Sequence, residues 1–106
     1  MTYVIEYKSA RYPYGYRFLM KANSQEFQPF DSIVKARKKC IGLIKDHTAV
    51  LAVVRGGVEQ LVYQTRDGNF VVEDRSKDKW NYLNKDGTCG SQIKNIRNVD
   101  LIRSAW

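Results

Sequence analysis

The sequence predicts a single α+β domain in which one amphipathic helix packs on one face of an antiparallel sheet. Three observations predict this class. Two segments near the N-terminus alternate apolar and polar residues, one central segment has helical spacing, and three apolar segments separated by glycine-containing turns follow it. The predicted order is ββαβββ, followed by a C-terminal tail of mixed character. A length of 106 residues fits one domain, residues 1–106.

An N-terminal hairpin accounts for the first two strands. Residues 2–7 and 16–21 alternate aromatic or β-branched residues with polar ones, which is typical of half-buried strands. Residues 8–15 contain Pro13 and Gly15, two turn-forming residues, so we expect them to connect the strands. Residues 22–30 are mostly polar and are predicted to form a loop.

The helix follows this loop, with Asp31 or Ser32 as the residue that caps its first amide groups. At 100° per residue, one half of the helix is apolar: Ile33, Val34, Ala36, Cys40, Ile41, Leu43 and Ile44. Arg37 falls inside this apolar stripe, where it can extend its head group to the sheet edge or pair with a carboxylate such as Glu73 or Asp74, and we expect this structural pairing rather than a ligand contact. The helix must end near residues 46–48, where a continuous apolar segment begins.

A three-stranded meander is the most strongly indicated part of the fold. Residues 49–54 are continuously apolar and fit a buried central strand. Gly56 and Gly57 predict a tight turn into a second strand over residues 58–65. A turn at residues 66–69 then leads to a third strand over residues 70–73.

The tail is less clearly patterned. Residues 80–83 fit a further strand, closed by a turn at residues 84–87. Ile93 and Ile96 are three residues apart, which favours a short helix over residues 91–98, and residues 99–106 fit either helix or strand. The sheet face opposite the helix is expected to be partly open to solvent or to a partner.

Net charge is the first indication of function. The chain has 18 Lys and Arg against 11 Asp and Glu, a formal net charge of +7. Residues 29–56 hold six basic and two acidic residues, whereas residues 57–75 hold two basic and four acidic ones. Such a distribution favours a polyanionic partner, either a nucleic acid or an acidic protein surface.

The polar half of the helix is the first candidate site. It carries Lys35, Lys38, Lys39 and Lys45, and only Asp46 counterbalances them on that side. A surface helix must be polar somewhere, so the lysines have a purely structural explanation as well. The shortage of acidic neighbours nevertheless favours contact with a phosphate backbone, from which such side chains release counterions.

The segment between the first two strands is the second candidate. Residues 11–17 interleave tyrosines with arginines, and we expect Arg11, Tyr12, Tyr14 and Arg17 to contact bases and phosphates. Lys77 and Lys79 beside Trp80 repeat the pattern more weakly, because Trp80 also fits a core position. Tyrosine and arginine dominate protein interfaces too. The alternative is therefore a protein-interaction or inhibitor module, able to form a homodimer through this loop or a sheet edge.

Catalytic chemistry is poorly indicated. His47 is the single histidine, Cys40 and Cys89 do not form a CxxC pair, and no phosphate-binding glycine motif occurs. An enzyme using Glu73 and Asp74 or His47 is the least favoured class. We expect a non-enzymatic protein without cofactor or metal, located in the reducing cytoplasm. No membrane partner is expected, because no apolar run approaches about 18 residues.

Overall fold

A computed structural model describes residues 2–11 and 15–102. It confirms the α+β class: one α-helix packs on a seven-stranded antiparallel sheet of order β2-β1-β3-β4-β5-β6-β7. The elements are β1 Val4–Ser9, β2 Tyr16–Phe18, α1 Ile33–Lys45, β3 Ala49–Arg55, β4 Glu59–Gln64, β5 Phe70–Asp74, β6 Lys79–Leu83, β7 Cys89–Ile93 and a 3-10 turn Ile96–Asn98. The predicted N-terminal hairpin and central meander are both present.

Strand β2 is shorter than the predicted residues 16–21. Met20 does not continue the pairing with β1 but forms a bridge with Phe27. The Lys21 amide donates to the Glu26 carbonyl at 2.9 Å, and the Gln28 amide donates to the Leu19 carbonyl at 3.0 Å. The Leu19 amide still donates to the Ile5 carbonyl of β1 at 2.8 Å, and the chain then turns back on itself at residues 22–25.

Both ends of α1 follow from local sequence. The Ser32 hydroxyl accepts a hydrogen bond from the Lys35 amide, which confirms Ser32 as the N-cap. At the other end the His47 amide donates to the Ile44 carbonyl at 3.2 Å, and the Thr48 amide donates to the Leu43 carbonyl at 3.0 Å. These two bonds define a Schellman motif. His47 occupies its left-handed position with φ of 64°.

The helix side of the sheet holds the larger of two apolar clusters. Ala36, Cys40 and Ile44 of α1 pack against Val54 and Val62 of the central strands. Cys40 is fully buried, and desolvation raises the pKa of its thiol to about 12. Cys40 therefore acts as a small apolar residue, as the helical stripe predicts.

Arg37 is buried in this interface, but its expected pairing with Glu73 or Asp74 is wrong. Its Nε donates to the Gly87 carbonyl at 2.8 Å, and its Nη1 donates to Gln60 Oε1 at 3.2 Å. Gln60 Nε2 in turn donates to Asp74 Oδ2 at 3.1 Å. Gln60 thus stands between the two charges, which a prediction from charge alone could not anticipate.

The C-terminal segment covers the centre of the opposite face. Leu101 packs with Leu51, Leu61 and Val71, and its backbone forms a bridge with Thr65. Trp80 is partly buried and packs against this cluster, with its ring centroid 5.4 Å from that of Tyr63. The face expected to be partly open is therefore closed over β3–β5.

The short helix predicted for residues 91–98 is wrong. Gln92 and Ile93 pair with Asn81 and Trp80 of β6, so residues 91–93 belong to β7. Only Ile96–Asn98 forms a single 3-10 turn. Pairing with a neighbouring strand overrides the three-residue spacing of Ile93 and Ile96. The undecided segment 99–106 contributes the Leu101 bridge, and residues 103–106 lie outside the described part of the chain.

Candidate functional site

Two of the predicted basic residues meet at one end of the β1–β2 hairpin. Arg17 lies on β2 opposite Tyr7, and Arg11 comes two residues after the end of β1. Together with His47 they line an open cavity of about 320 Å³. Tyr7, Ser9 and Thr48 complete its wall. We call this group of six residues the arginine cavity.

Local hydrogen bonds explain why these residues meet. The Arg11 amide donates to the Ser9 hydroxyl at 3.2 Å, which fixes the chain as it leaves β1. The Ala10 amide donates to the Thr48 carbonyl at 3.0 Å, which ties the same point to the chain that leaves the helix. The Schellman motif then places His47 at the cavity. The arginine cavity therefore lies where β1, β2 and the C-terminus of α1 come together.

The arginine cavity has the chemistry of an anion site. Guanidinium groups present pairs of N–H donors that match phosphate and carboxylate oxygens. Asp46 precedes His47 of this cavity along the chain, and its carboxylate accepts from the Thr48 amide at 3.0 Å. The Thr48 side chain and then its amide lower the pKa of Asp46, so this carboxylate stays ionised and offsets part of the positive charge.

The helix lysines are exposed but less isolated than the sequence predicts. Lys35 forms an ion pair with Asp31 at 3.2 Å. Lys39 is close enough to Asp46 to lower its pKa. Hydrogen bonds from Thr88 lower the pKa of Asp86, with a smaller effect from the charge of Lys38. The expectation that Asp46 alone would counterbalance these lysines is therefore wrong.

These helix pairs do not remove the positive character of the surface. Exposed ion pairs are each worth less than about 1 kcal/mol and are screened by salt. A polyanion can therefore exchange with them at little cost. Lys45 adds a further cation in the last turn of the helix.

The lysines also do not point in a single direction. Lys35 lines a shallow cavity with Thr2 and Phe30 on the β1 side of the helix. Lys38 lies on the other side, where Gly87 of the β6–β7 turn approaches it. Lys39 follows Lys35 by one helical turn, so these two share the side nearer β1.

The remaining predicted residues lie elsewhere. Lys79 pairs with Asp74 across the β5–β6 hairpin, four strands from β1 and therefore on the order of 19 Å away. Burial raises the pKa of Asp74, but hydrogen bonds from Ser76 and Gln60 and the charge of Lys77 outweigh it, so the pKa is lowered. Lys77 and Lys79 therefore do not join the arginine cavity. Tyr12 and Tyr14 lie outside the described residues.

The acidic residues of the least favoured enzyme hypothesis are not placed as a pair. Glu73 and Asp74 are consecutive in β5, so their side chains project to opposite faces of the sheet. Glu73 contacts Arg75 Nε at 3.5 Å. Asp74 accepts from the Ser76 hydroxyl at 2.6 Å. Within residues 2–11 and 15–102, no group of three His, Cys, Asp or Glu side chains is placed to hold a metal ion.

Sequence reasoning missed an exposed apolar patch on β2 and the loop after it. Its members are exposed by 36–51%, and we call them the β2 patch: Tyr16, Phe18, Met20 and Phe27. The rings of Phe18 and Phe27 stack with centroids 4.7 Å apart and planes 21° apart. Phe27 was the available signal, because it is an aromatic residue with polar neighbours on both sides in a mostly polar loop.

No family model, no curated protein and no solved structure matches the chain. In the described part of the chain, α1 and the other helical segment are too short and too polar to cross a membrane.

Proposed function

We propose that the protein is a small non-enzymatic module that binds nucleic acid through its basic surface. One observation carries the proposal: Arg11, Arg17 and His47 line the same open cavity at the end of a helix whose outer half bears four lysines. A net charge of +7 supplies long-range attraction to a polyanion.

The two parts of this surface have different roles in the proposal. In the arginine cavity, Arg11 and Arg17 bind phosphate oxygens through paired N–H donors, with Ser9 and Thr48 as neutral partners. The lysines of α1 neutralise further phosphates and release counterions, which makes affinity depend on salt. Phosphate contacts fix position and orientation but do not read sequence.

In this role the protein carries out no catalytic step and needs no cofactor. Its setting is the reducing cytoplasm, because Cys40 is buried and Cys89 is exposed, and both are free thiols.

Salt titration of binding to a labelled oligonucleotide tests the proposal. With about four phosphates neutralised, the slope of log affinity against log salt is expected to be about −3 to −4. Replacing both Arg11 and Arg17 with glutamate should weaken binding by at least about tenfold and make the slope shallower by about 2.

The matched control replaces Lys77 and Lys79 with glutamate, the same change of charge at the β5–β6 hairpin. This control should retain most of the affinity, because those lysines lie four strands from β1. A flat salt profile, or equal losses in the two double variants, contradicts the proposal.

The β2 patch favours a second candidate, a protein-interaction or inhibitor module acting through a sheet edge. Apolar patches of this kind mark sites of association on many proteins. Such a module binds a protein partner, or a second copy of itself, with little dependence on salt. An acidic protein surface would share the salt dependence of nucleic acid, so the oligonucleotide titration separates it from the leading proposal.

A further inference from the structure

We infer that the nucleic acid is single-stranded and lies along the outer edge of β2, with its bases stacked on the β2 patch. This inference rests on the proposed function and names the kind of nucleic acid. It brings together the two features of the hairpin that are otherwise separate, the aromatic rings on one side of β2 and the arginine cavity on the other.

The aromatic rings of the β2 patch are accessible to a ligand. Phe18 is 36% and Phe27 is 47% exposed, although the same sheet face is covered by the C-terminal segment over β3–β5. The described part of that segment, residues 99–102, packs through Leu101 with Leu51, Val53 and Leu61 of the central strands. Exposed rings are suited to base stacking, because every base has an aromatic face and stacking tolerates any sequence.

Successive side chains of β2 project from opposite faces of the sheet. Tyr16 and Phe18 project from one face of β2, and Arg17 between them projects from the other. The edge strand thus carries aromatic rings on one side and a guanidinium group on the other. A nucleotide has the same division, with the phosphate and the base on different sides of the sugar. A single strand along this edge can place phosphates at the arginine cavity and bases on the β2 patch.

Charged residues of both signs lie around the β2 patch. Glu26 pairs with Lys21 at 3.1 Å, whereas Arg55 is shared between Glu6 at 3.5 Å and Glu59 at 3.6 Å. Lys8 lies opposite Tyr16 on the aromatic side. The patch is therefore apolar with charges of both signs around it, and the two arginines that would hold phosphates line the arginine cavity on the other face of β2.

The same geometry disfavours two other occupants. A second copy paired through β2 about Arg17 would set the two Arg17 side chains directly opposite each other, where like charges destabilise a sheet. A duplex keeps its bases paired and stacked inside the helix, so they do not reach the rings.

The experiment compares a labelled oligothymidylate of about 12 nucleotides with a duplex of equal length by fluorescence anisotropy. The protein should bind the single strand more tightly. Replacing Phe18 and Phe27 together with alanine should weaken single-strand binding by at least about tenfold and leave duplex binding unchanged. The matched control is Tyr82→Ala, because Tyr82 is a similarly exposed ring, at 38%, on β6. Tyr82→Ala should change neither the affinity for the single strand nor the affinity for the duplex.

The possible results distinguish failure of the single-strand inference from failure of the proposed function. Equal affinity for both probes, or single-strand binding unaffected by the Phe18 and Phe27 substitutions, overturns the inference. The proposed function then survives if the arginine variant still weakens binding. No binding to either probe removes both. Sedimentation of the parent and the alanine variant supplies the remaining outcome: a dimer that becomes a monomer on substitution assigns the patch to self-association and overturns the inference. Circular dichroism should show the alanine variant folded, because both rings are exposed.

Discussion

The two edge strands of the sheet, β2 and β7, expose different surfaces. Strand β2 exposes Tyr16 by 51% and Phe18 by 36%. Strand β7 has the sequence CGSQI and exposes cysteine, serine and glutamine. A free sheet edge invites pairing with other chains, and small or polar residues reduce that tendency. The β7 edge follows this rule and the β2 edge does not, which fits a β2 edge that is kept for a partner.

The two edges are also held differently. The β6–β7 turn docks on α1, with the Gly87 carbonyl accepting from the buried Arg37 and its backbone close to Val34 and Lys38. The β1–β2 hairpin is joined to the end of the helix through the Ala10 amide and the Thr48 carbonyl. One edge is thus fastened through a buried interface, and the other surrounds an open cavity.

Gly87→Ala should disrupt the docking of the β6–β7 turn on α1, and it should have the largest effect on stability. An added Cβ would lie 2.2 Å from the Val34 carbonyl oxygen and 2.9 Å from the Lys38 nitrogen, at a φ of +93°. We expect the free energy of unfolding to fall by about 3 kcal/mol, measured by urea denaturation.

Gly68→Ala is the matched control for that loss. Gly68 has the same φ of +93°, but no atom lies within 4 Å of its added Cβ. It should lose only about 1 kcal/mol, from backbone strain alone. Equal losses for the two variants would show that the turn does not dock tightly on the helix.

His47→Gly tests the β1–β2 edge, and its effect on the free energy of unfolding should be intermediate. His47 holds a φ of 64°, which glycine adopts without the steric cost that a side chain brings. The free energy of unfolding should rise by about 1 kcal/mol, seen as a higher Tm. Oligonucleotide affinity should fall in the same variant, because the imidazole leaves the arginine cavity. A gain in stability with unchanged affinity would remove His47 from the site.

Asp74→Asn tests the polar chain that runs from the β5–β6 hairpin to Arg37, and its effect is the smallest. The folded-state pKa of Asp74 lies below the usual 3.8, so its stabilisation is present above that pH and is lost as pH falls through the folded-state value. Asparagine cannot take up this proton. Between about pH 5 and about pH 3, the variant should lose less unfolding free energy than the parent. Identical acid profiles would contradict this role of Asp74.

Most of the fold could be predicted because its signals are local. The helical spacing of residues 33–44, the cap at Ser32 and the Gly56–Gly57 turn each act within a few residues, and all three appear in the structure. The errors involve distant parts of the chain. Strand β7 exists because residues 91–93 find a partner in β6, and Gln60 separates Arg37 from Asp74 because three elements meet there.

The candidate site was predictable to a smaller extent. Arg11 and Arg17 are six residues apart, and the hairpin that joins them could be inferred, so their convergence follows from the sequence. The contribution of His47 depends on where the helix ends against β1. Exposure of the β2 patch depends on its place at the edge of the sheet, away from the cluster that Leu101 joins over β3–β5. Neither is encoded in a local pattern.

Strand β1 lies between β2 and β3, and this position has a consequence for how the molecule assembles. Strands β3 to β7 join their sequence neighbours through short turns, so they can form as a succession of local hairpins. Pairing of β1 with β3 must instead close a loop of about 40 residues that includes the whole helix, and such closure costs chain entropy before any contact repays it. The hairpin bearing the β2 patch is therefore expected to join the sheet only after strands β3 to β7 have paired with one another.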